Sequence, residues 1–266
     1  MAWSLSILFL VTSKAWVDFE VSGLENPLAN LCLATLLALT LEGSRAVGPR
    51  WTWLAAALLI LTRQDLAILA LPAVAASALA RLGSQPHVHG KARLAAVFRE
   101  MLPGLAVLLA WHGFSLFYYG FPFPNTAYAK LSTGLPRPVL LQQGLAHFLN
   151  SLLWDPLSFG LCGVASMLLL RPGRPSTHRA WGAGILLHLA YVAWIGGDFM
   201  SGRFFVPAVT VAALACRDSC LPGPVRLSES SWRSRWSMRG TRGPPLREVF
   251  FPAEQSSRAP STPPDS

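Results

Sequence analysis

Long apolar runs separated by short polar breaks dominate the first 216 residues. The runs Met101–Tyr119, Pro156–Leu170 (extended backward through Leu149) and Ala180–Gly196 predict helices of membrane-crossing length, because a span takes about 20 apolar residues. Leu28–Leu41 and Phe204–Ala215 predict shorter apolar helices. Trp51–Ala80 is interrupted by Arg63-Gln64-Asp65, which predicts a helical hairpin with those residues near its turn. Met1–Val11 is apolar but too short to span, and no basic segment precedes it. It is expected to be the second half of a longer helix. After Cys216 the pattern gives way to Ser, Arg and Pro without periodicity, and such a segment buries too little apolar surface to offset chain entropy. The expected organisation is all-α: a polytopic transmembrane helical bundle over residues 1–216, with about six to eight membrane segments, and a disordered tail over 217–266.

Composition supports that division. Hydrophobic residues make up 52% of the chain and charged residues 13%, against about 25% charged in an ordinary soluble domain. A coiled coil, a disulfide scaffold and a wholly disordered chain are excluded. The ten Trp suit membrane interfaces, and 21 Pro and 21 Gly are tolerated in spans. Cys32, Cys162, Cys216 and Cys220 form neither a disulfide framework nor a zinc pattern.

The formal net charge of +9 changes meaning once it is placed. Arg45, Arg50, Arg81, Lys91, Arg93, Arg99, Arg171, Arg174 and Arg179 fall in one set of inter-span segments, against only Glu42 and Glu100. The other set, 13–27, 120–148 and 196–203, holds Lys14, Lys130, Arg137 and Arg203 against Asp18, Glu20, Glu25 and Asp198. Positive residues favour the cytoplasmic side. The loops carrying SGLENPL, FPFPNTAYAK and GGDFMSGR are therefore expected outside an inner or plasma membrane. The basic loops then face anionic lipid. No soluble basic face interleaved with aromatics exists, so no nucleic-acid partner is expected.

Four segments carry candidate chemistry. In 18–28, Asp18, Glu20 and Glu25 precede a span, with Ser22 or Asn26 as candidate caps and Pro27 suited to a first helical turn. In 118–130, prolines and aromatics lead to Asn125, Tyr128 and Lys130, a set suited to a sugar-phosphate: rings stack on sugar, the amide reads hydroxyls and the ammonium meets phosphate. In 194–203, Gly196 and Gly197 permit turns closed to other residues, and Asp198 and Arg203 are spaced to pair or to meet a ligand together. Arg63 and Asp65 repeat the theme inside an apolar stretch, where ionisable groups are costly. His87 and His89 are a weak metal signal. His188, inside a span, suits an interhelical hydrogen bond. No P-loop, GxGxxG, HExxH or nucleophile elbow is present. No cofactor is expected, and nothing in the sequence calls for a divalent metal.

Taken in order, Ser22–Leu28, Leu61–Asp65, Phe123–Lys130 and Gly196–Phe204 form a set that resembles the polytopic GT-C membrane glycosyltransferases. Within them it is similar to the bacterial terminal arabinofuranosyltransferase family. The resemblance covers about residues 13–210. It implies transfer of a sugar from a polyprenyl-phosphate donor to a glycan or lipid acceptor at the outer membrane face. It also implies a first-loop carboxylate as general base. The acidic pair that the family carries there is not found in this chain, so the chain is expected to be a partial or shortened member, inactive if that loop is missing. Asp198 and Glu25 are the remaining carboxylates to consider for catalysis. Asn125, Tyr128, Lys130, Arg203, Arg63 and Asp65 are the candidate substrate-binding residues. A non-enzymatic membrane scaffold or assembly protein is the alternative. A transporter ranks last: the broken 51–80 stretch suits one, but no inverted repeat is visible.

Overall fold

The structure is a computed structural model and describes residues 2–41, 48–83, 90–131 and 133–220. Glu42, Arg45, His87 and His89, and the tail beyond Cys220, lie outside the described residues. Among the described residues all regular structure is helical: α1 (Ala2–Thr12), α2 (Lys14–Glu20), α3 (Asn26–Leu41), α4 (Arg50–Thr62), a 3₁₀ turn (Gln64–Leu66), α5 (Ala67–Gly83), α6 (Gly90–Tyr119), α7 (Asn125–Leu131), α8 (Arg137–Trp154), α9 (Pro156–Leu170), α10 (Ser176–Trp194) and α11 (Val206–Cys220).

The core lies where α3, α4, α5, α9, α10 and α11 meet. Leu33, Leu36, Leu59, Leu66, Leu69, Val74, Leu169 and Ile185 are fully buried there. Small residues set the spacing of the helices. Gly184 of α10 sits so close to the Leu69 carbonyl of α5 that no Cβ would fit, and Gly104 of α6 is pressed against the Trp53 carbonyl of α4 in the same way. Such close backbone approach replaces hydrophobic exclusion as a source of cohesion between apolar helices. At one end Trp181 Nε1 of α10 donates to Thr40 Oγ1 of α3 across 2.9 Å. At the other end α4 and α10 finish while α3, α5 and α11 start.

Among the described residues two helical segments are long and apolar enough to cross a membrane, Gln64–Gly83 and Gly90–Tyr119. The α8–α9 pair adds a third if it is counted as one bent span. Asn26–Leu41, Arg50–Thr62 and Val206–Ala215 are apolar helices below that length. Arg63 stands between α4 and the 3₁₀ turn in an extended conformation, φ −149° and ψ 109°. α3, with 16 residues, reaches only about 24 Å at 1.5 Å per residue.

Two expectations change. The run Leu149–Leu170 is not one helix: α8 and α9 meet at 107°. Asp155 stands at the corner because Pro156 disfavours the helical conformation in the residue before it. Lys91, Arg93 and Arg99 lie on α6, which runs for 30 residues from Gly90 with Pro103 inside it, and not in a loop. Much of the outward surface of α6 is large and apolar, with Leu94, Leu109, Phe114 and Phe117 exposed.

Candidate functional site

The site is built where helix ends converge. Leading into α3, Ser22 Oγ donates to the Phe19 carbonyl and so closes α2 instead of capping α3. The cap position falls to Glu25, whose carbonyl accepts from the Ala29 N–H at 3.0 Å. Asn26 does not cap either, because its side-chain oxygen accepts from Arg63 Nη1 at 2.9 Å.

Arg63 turns inward from the break after α4 and is 5% exposed. It grips Asp65 with two bonds, Nη2 to Oδ2 at 2.6 Å and Nε to Oδ1 at 3.2 Å, the fork geometry that only a guanidinium supplies. Its Nε also stands 3.9 Å from Glu25 Oε1.

The segment after α10 comes from the opposite direction. Gly196 and Gly197 take φ of +88° and +75°, values that side-chain-bearing residues avoid. The reversal buries Asp198 to 3% exposure. Asp198 Oδ1 meets Lys130 Nζ at 3.3 Å, and its Oδ2 stands 3.7 Å from Arg203 Nη1. Arg203 Nη2 closes the chain of charges on Glu25 Oε1 at 2.7 Å. Asp65, Arg63, Glu25, Arg203, Asp198 and Lys130 thus alternate in sign. Phe204 offers its face to two of the cations, with Lys130 Nζ 4.1 Å and the Arg63 guanidinium 4.9 Å from the ring centroid.

Three cations face three carboxylates, so the cluster is close to neutral in itself. Its hydrogen bonding is incomplete. Asn26 Nδ2, Asp198 Oδ2 and Arg203 Nε are buried without a hydrogen-bond partner, a state that costs about 1–3 kcal/mol per neutral group. Burial alone would raise the Glu25 carboxyl, but the Arg203 hydrogen bond and the charges of Arg203 and Arg63 hold it below the ordinary range. Glu20, at the end of α2, goes the other way: burial pushes it up, and the Asn30 amide offsets this only in part.

Of the residues singled out in the sequence, Glu25, Arg63, Asp65, Lys130, Asp198 and Arg203 are brought together. Asn125 and Tyr128 are not. Asn125 is exposed at the first position of α7. Tyr128 packs edge-on to Phe121 at 5.7 Å. His188 is fully buried and Nε2 meets the Phe204 carbonyl at 2.9 Å, tying α10 to the segment before α11. Among the described residues no group of three or more His, Cys, Asp or Glu forms a metal-binding set.

Sequence reasoning missed a second polar centre. Asp155 accepts from Ala15 N at 2.9 Å, Ser158 N at 3.1 Å, Ser158 Oγ at 2.7 Å and Ser13 Oγ at 3.3 Å. One carboxylate thereby serves the first turns of α2 and α9. The available signal was Asp-Pro at the start of an apolar run with Ser three residues on, a helix-start pattern. His147 was also missed. It stacks on Phe205 at 5.3 Å, and Gly197 leaves no space for a Cβ against its ring.

Fold and site together define a protein whose described residues are helical, with two helices among them, or three if the bent α8–α9 pair counts as one, able to cross a membrane, and a partly buried ion-pair cluster at one end of its helices. No protein-family model, curated protein or solved structure matches the chain.

Proposed function

We propose that the chain is a membrane glycosyltransferase-like protein of the GT-C type. In this reading it takes a sugar from a polyprenyl-phosphate donor and passes it to an extracytoplasmic glycan or lipid acceptor. The observation that carries the reading is the convergence of four separated segments, each singled out for its residues, on the Glu25–Arg203 cluster. Their exposure sorts the cations. Arg63 is buried against its own partners, whereas Lys130 and Arg203 are 32% and 23% exposed and are the ones a phosphate can reach. In this reading α3, α4 and α11 join the longer helices as a polytopic bundle of the plasma membrane, with the cluster at its outer surface, as the distribution of basic loops favours.

The charge balance suggests how the site works. A sugar phosphodiester brings one negative charge to a neutral cluster, so it competes with Glu25 for Arg203. As Arg203 turns to the phosphate, Glu25 loses its closest partner. The freed carboxylate is a proton acceptor for the attacking acceptor hydroxyl. The new glycosidic bond forms as the sugar–phosphate bond breaks; the polyprenyl phosphate leaves with the bonding pair and gains a second negative charge, which Arg203 and Lys130 face. Asp198 holds both cations in position.

The test is transfer of labelled sugar from a polyprenyl-phosphate donor in membranes containing the protein, with Lys130→Ala and Arg203→Ala alongside. Loss of both donor retention and transfer in folded variants is the expected result. Donor retention indifferent to both substitutions would overturn the reading.

One observation favours a non-enzymatic scaffold instead: every charge in the cluster already has a protein partner. That reading predicts that Lys130→Ala and Asp198→Asn leave any cellular phenotype intact once the protein is folded and inserted.

A further inference from the structure

Beside the charge cluster, on the other side of the 198–205 segment, lies a cavity of about 290 Å³ between α2, the α8–α9 corner and that segment. Its chemistry differs from the cluster's. Trp154, Phe159 and Phe205 supply aromatic surface, and Ser151 and Ser201 supply hydroxyls. The hydroxyls form one network: Ser151 Oγ and Ser201 Oγ are 3.0 Å apart, and Asn150 Nδ2 donates to Ser201 Oγ at 2.9 Å. The ionisable groups on its wall are internally committed. Lys14 pairs with Asp18 one turn along α2, and Asp155 already accepts from four donors. With one cation, itself paired, and two carboxylates on its wall, the cavity offers no free cation to an anionic ligand. A site of aromatic rings and hydroxyls without a free cation suits a neutral polyhydroxylated molecule. Rings cover its apolar C–H faces, and the hydroxyls exchange hydrogen bonds with its rim. The volume fits one monosaccharide unit, at the lower end of the usual range for ligand pockets of about 300 Å³ upward.

We infer that this cavity binds a neutral sugar residue, the acceptor in the transfer proposed above; the role of acceptor, though not sugar binding itself, rests on that proposal. Placement supports the role. Ser201 and Gly202 line the cavity while Asp198 and Arg203, on the same turn, belong to the ion-pair cluster. One short segment therefore touches both sites. Trp154 is 68% exposed, so it forms an open wall that can close over a ring, and its replacement leaves the core untouched.

The experiment uses the full chain in phosphatidylcholine–phosphatidylglycerol vesicles free of glycolipid. The probe is an alkyl glucoside carrying a diazirine on its chain, with methyl glucoside and methyl arabinoside as competitors. The expected result is light-dependent labelling of peptides containing Trp154 or Ser201, competed by the free glycosides, and weakened about tenfold in Trp154→Ala by loss of one stacking ring. Ser201→Leu fills the cavity and should abolish labelling. Trp154→Leu, at an exposed position, guards against a folding artefact. Competition by the free glycosides supports the site; labelling that only alkyl glycosides displace reports binding of the alkyl chain and overturns it. Labelling elsewhere, or labelling indifferent to Trp154 and Ser201, overturns it. Polyprenyl-phosphate retention measured in the same vesicles separates the two proposals. Retention without cavity labelling removes the sugar site alone, and labelling without retention removes the donor reading while the sugar site stands.

Discussion

Two buried polar centres lie at the same end of these helices, and they are put together differently. Around Asp155, one carboxylate meets four donors at 2.7 to 3.3 Å, two of them backbone N–H groups of helix starts. Its acceptor capacity is used up, and its partners are parts of the fold. Around Glu25, six charged side chains share partners, at separations from 2.6 to 3.9 Å, and buried atoms of Asn26, Asp198 and Arg203 lack hydrogen-bond partners. A saturated centre fixes geometry. A shared and incompletely bonded one can exchange a partner for a ligand. The comparison separates groups that hold the corner of the fold from groups free to do chemistry, although both are polar, buried and close in space.

The largest expected effect tests how far the charge cluster also serves stability. Arg63→Ala strips Asp65, Glu25 and Asn26 of a common partner. Breaking one side of a buried ion pair costs about 3–5 kcal/mol, so the folded yield and the unfolding midpoint in detergent should both fall sharply. Arg63→Lys should recover only part, because an ammonium cannot grip Asp65 by two parallel bonds. An unchanged midpoint in Arg63→Ala would mean that the cluster contributes nothing to holding α4 and α5 in place.

Next in size is Asp155→Ala. It leaves the N–H groups of Ala15 and Ser158 without acceptors, removing the N-cap of α9 and a second acceptor at the start of α2 beside the Ser13 cap, each worth about 0.5–2 kcal/mol. The expected loss is about 1–4 kcal/mol, with α1 and α2 loosening first in hydrogen exchange. Asp155→Asn should fall between, since one of its oxygens becomes a donor that faces donors. If Asp155→Ala instead abolished polyprenyl-phosphate retention without loss of stability, the contrast between the two centres would fail.

Lys130→Ala should reverse that pattern. Its ion pair with Asp198 is partly exposed, and such pairs contribute about 0–1 kcal/mol. Stability should scarcely move while polyprenyl-phosphate retention drops by about tenfold, the equivalent of 1.4 kcal/mol. A large stability loss with unchanged retention would place Lys130 with the structural residues.

The sequence conveyed the two centres unequally for a physical reason. Arg63, Asp65, Asp198 and Arg203 stand out because a charge inside an apolar run is costly and so attracts notice residue by residue. Lys130 and Glu25 were visible from their neighbours. What no spacing revealed was the pairing, since Arg203 reaches Glu25 across 178 residues and only the packed helices bring them together. Asp155 was hidden because Asp-Pro at the head of an apolar run reads as ordinary punctuation, while its second duty, accepting from the Ala15 N–H in the first turn of α2 from 140 residues away, exists only in the folded chain. The same corner hid its shape: Leu149–Leu170 is apolar enough to read as one straight helix, and composition does not record a 107° bend. Asn125 and Tyr128 were singled out as amide and ring for a sugar beside Lys130, and of the three only Lys130 is paired into the charge cluster, from a helix of seven residues.

The smallest expected effect is the pH dependence, and it opposes two glutamates on neighbouring segments. Glu25 is held below its ordinary value near 4.5 by Arg203 and Arg63, which outweigh its burial. Its stabilising contribution is therefore complete above that value and is lost as pH falls through the lower folded-state value. Glu20 is held above 4.5 because burial outweighs the Asn30 amide. Its charged form burdens the folded state at neutral pH, and acidification through its raised value relieves the burden. In the native chain the two slopes have opposite signs, that of Glu20 above 4.5 and that of Glu25 below it. Unfolding midpoints followed from pH 7 down to about pH 2 should therefore split the variants. Relative to the native chain, Glu25→Gln should lose less stability on acidification and Glu20→Gln more, and Glu20→Gln should be the more stable of the two at pH 7. Parallel curves for all three proteins would show that Arg203 does not hold Glu25 as a charged partner. An exchange in which phosphate takes Arg203 from Glu25 would then have nothing to displace.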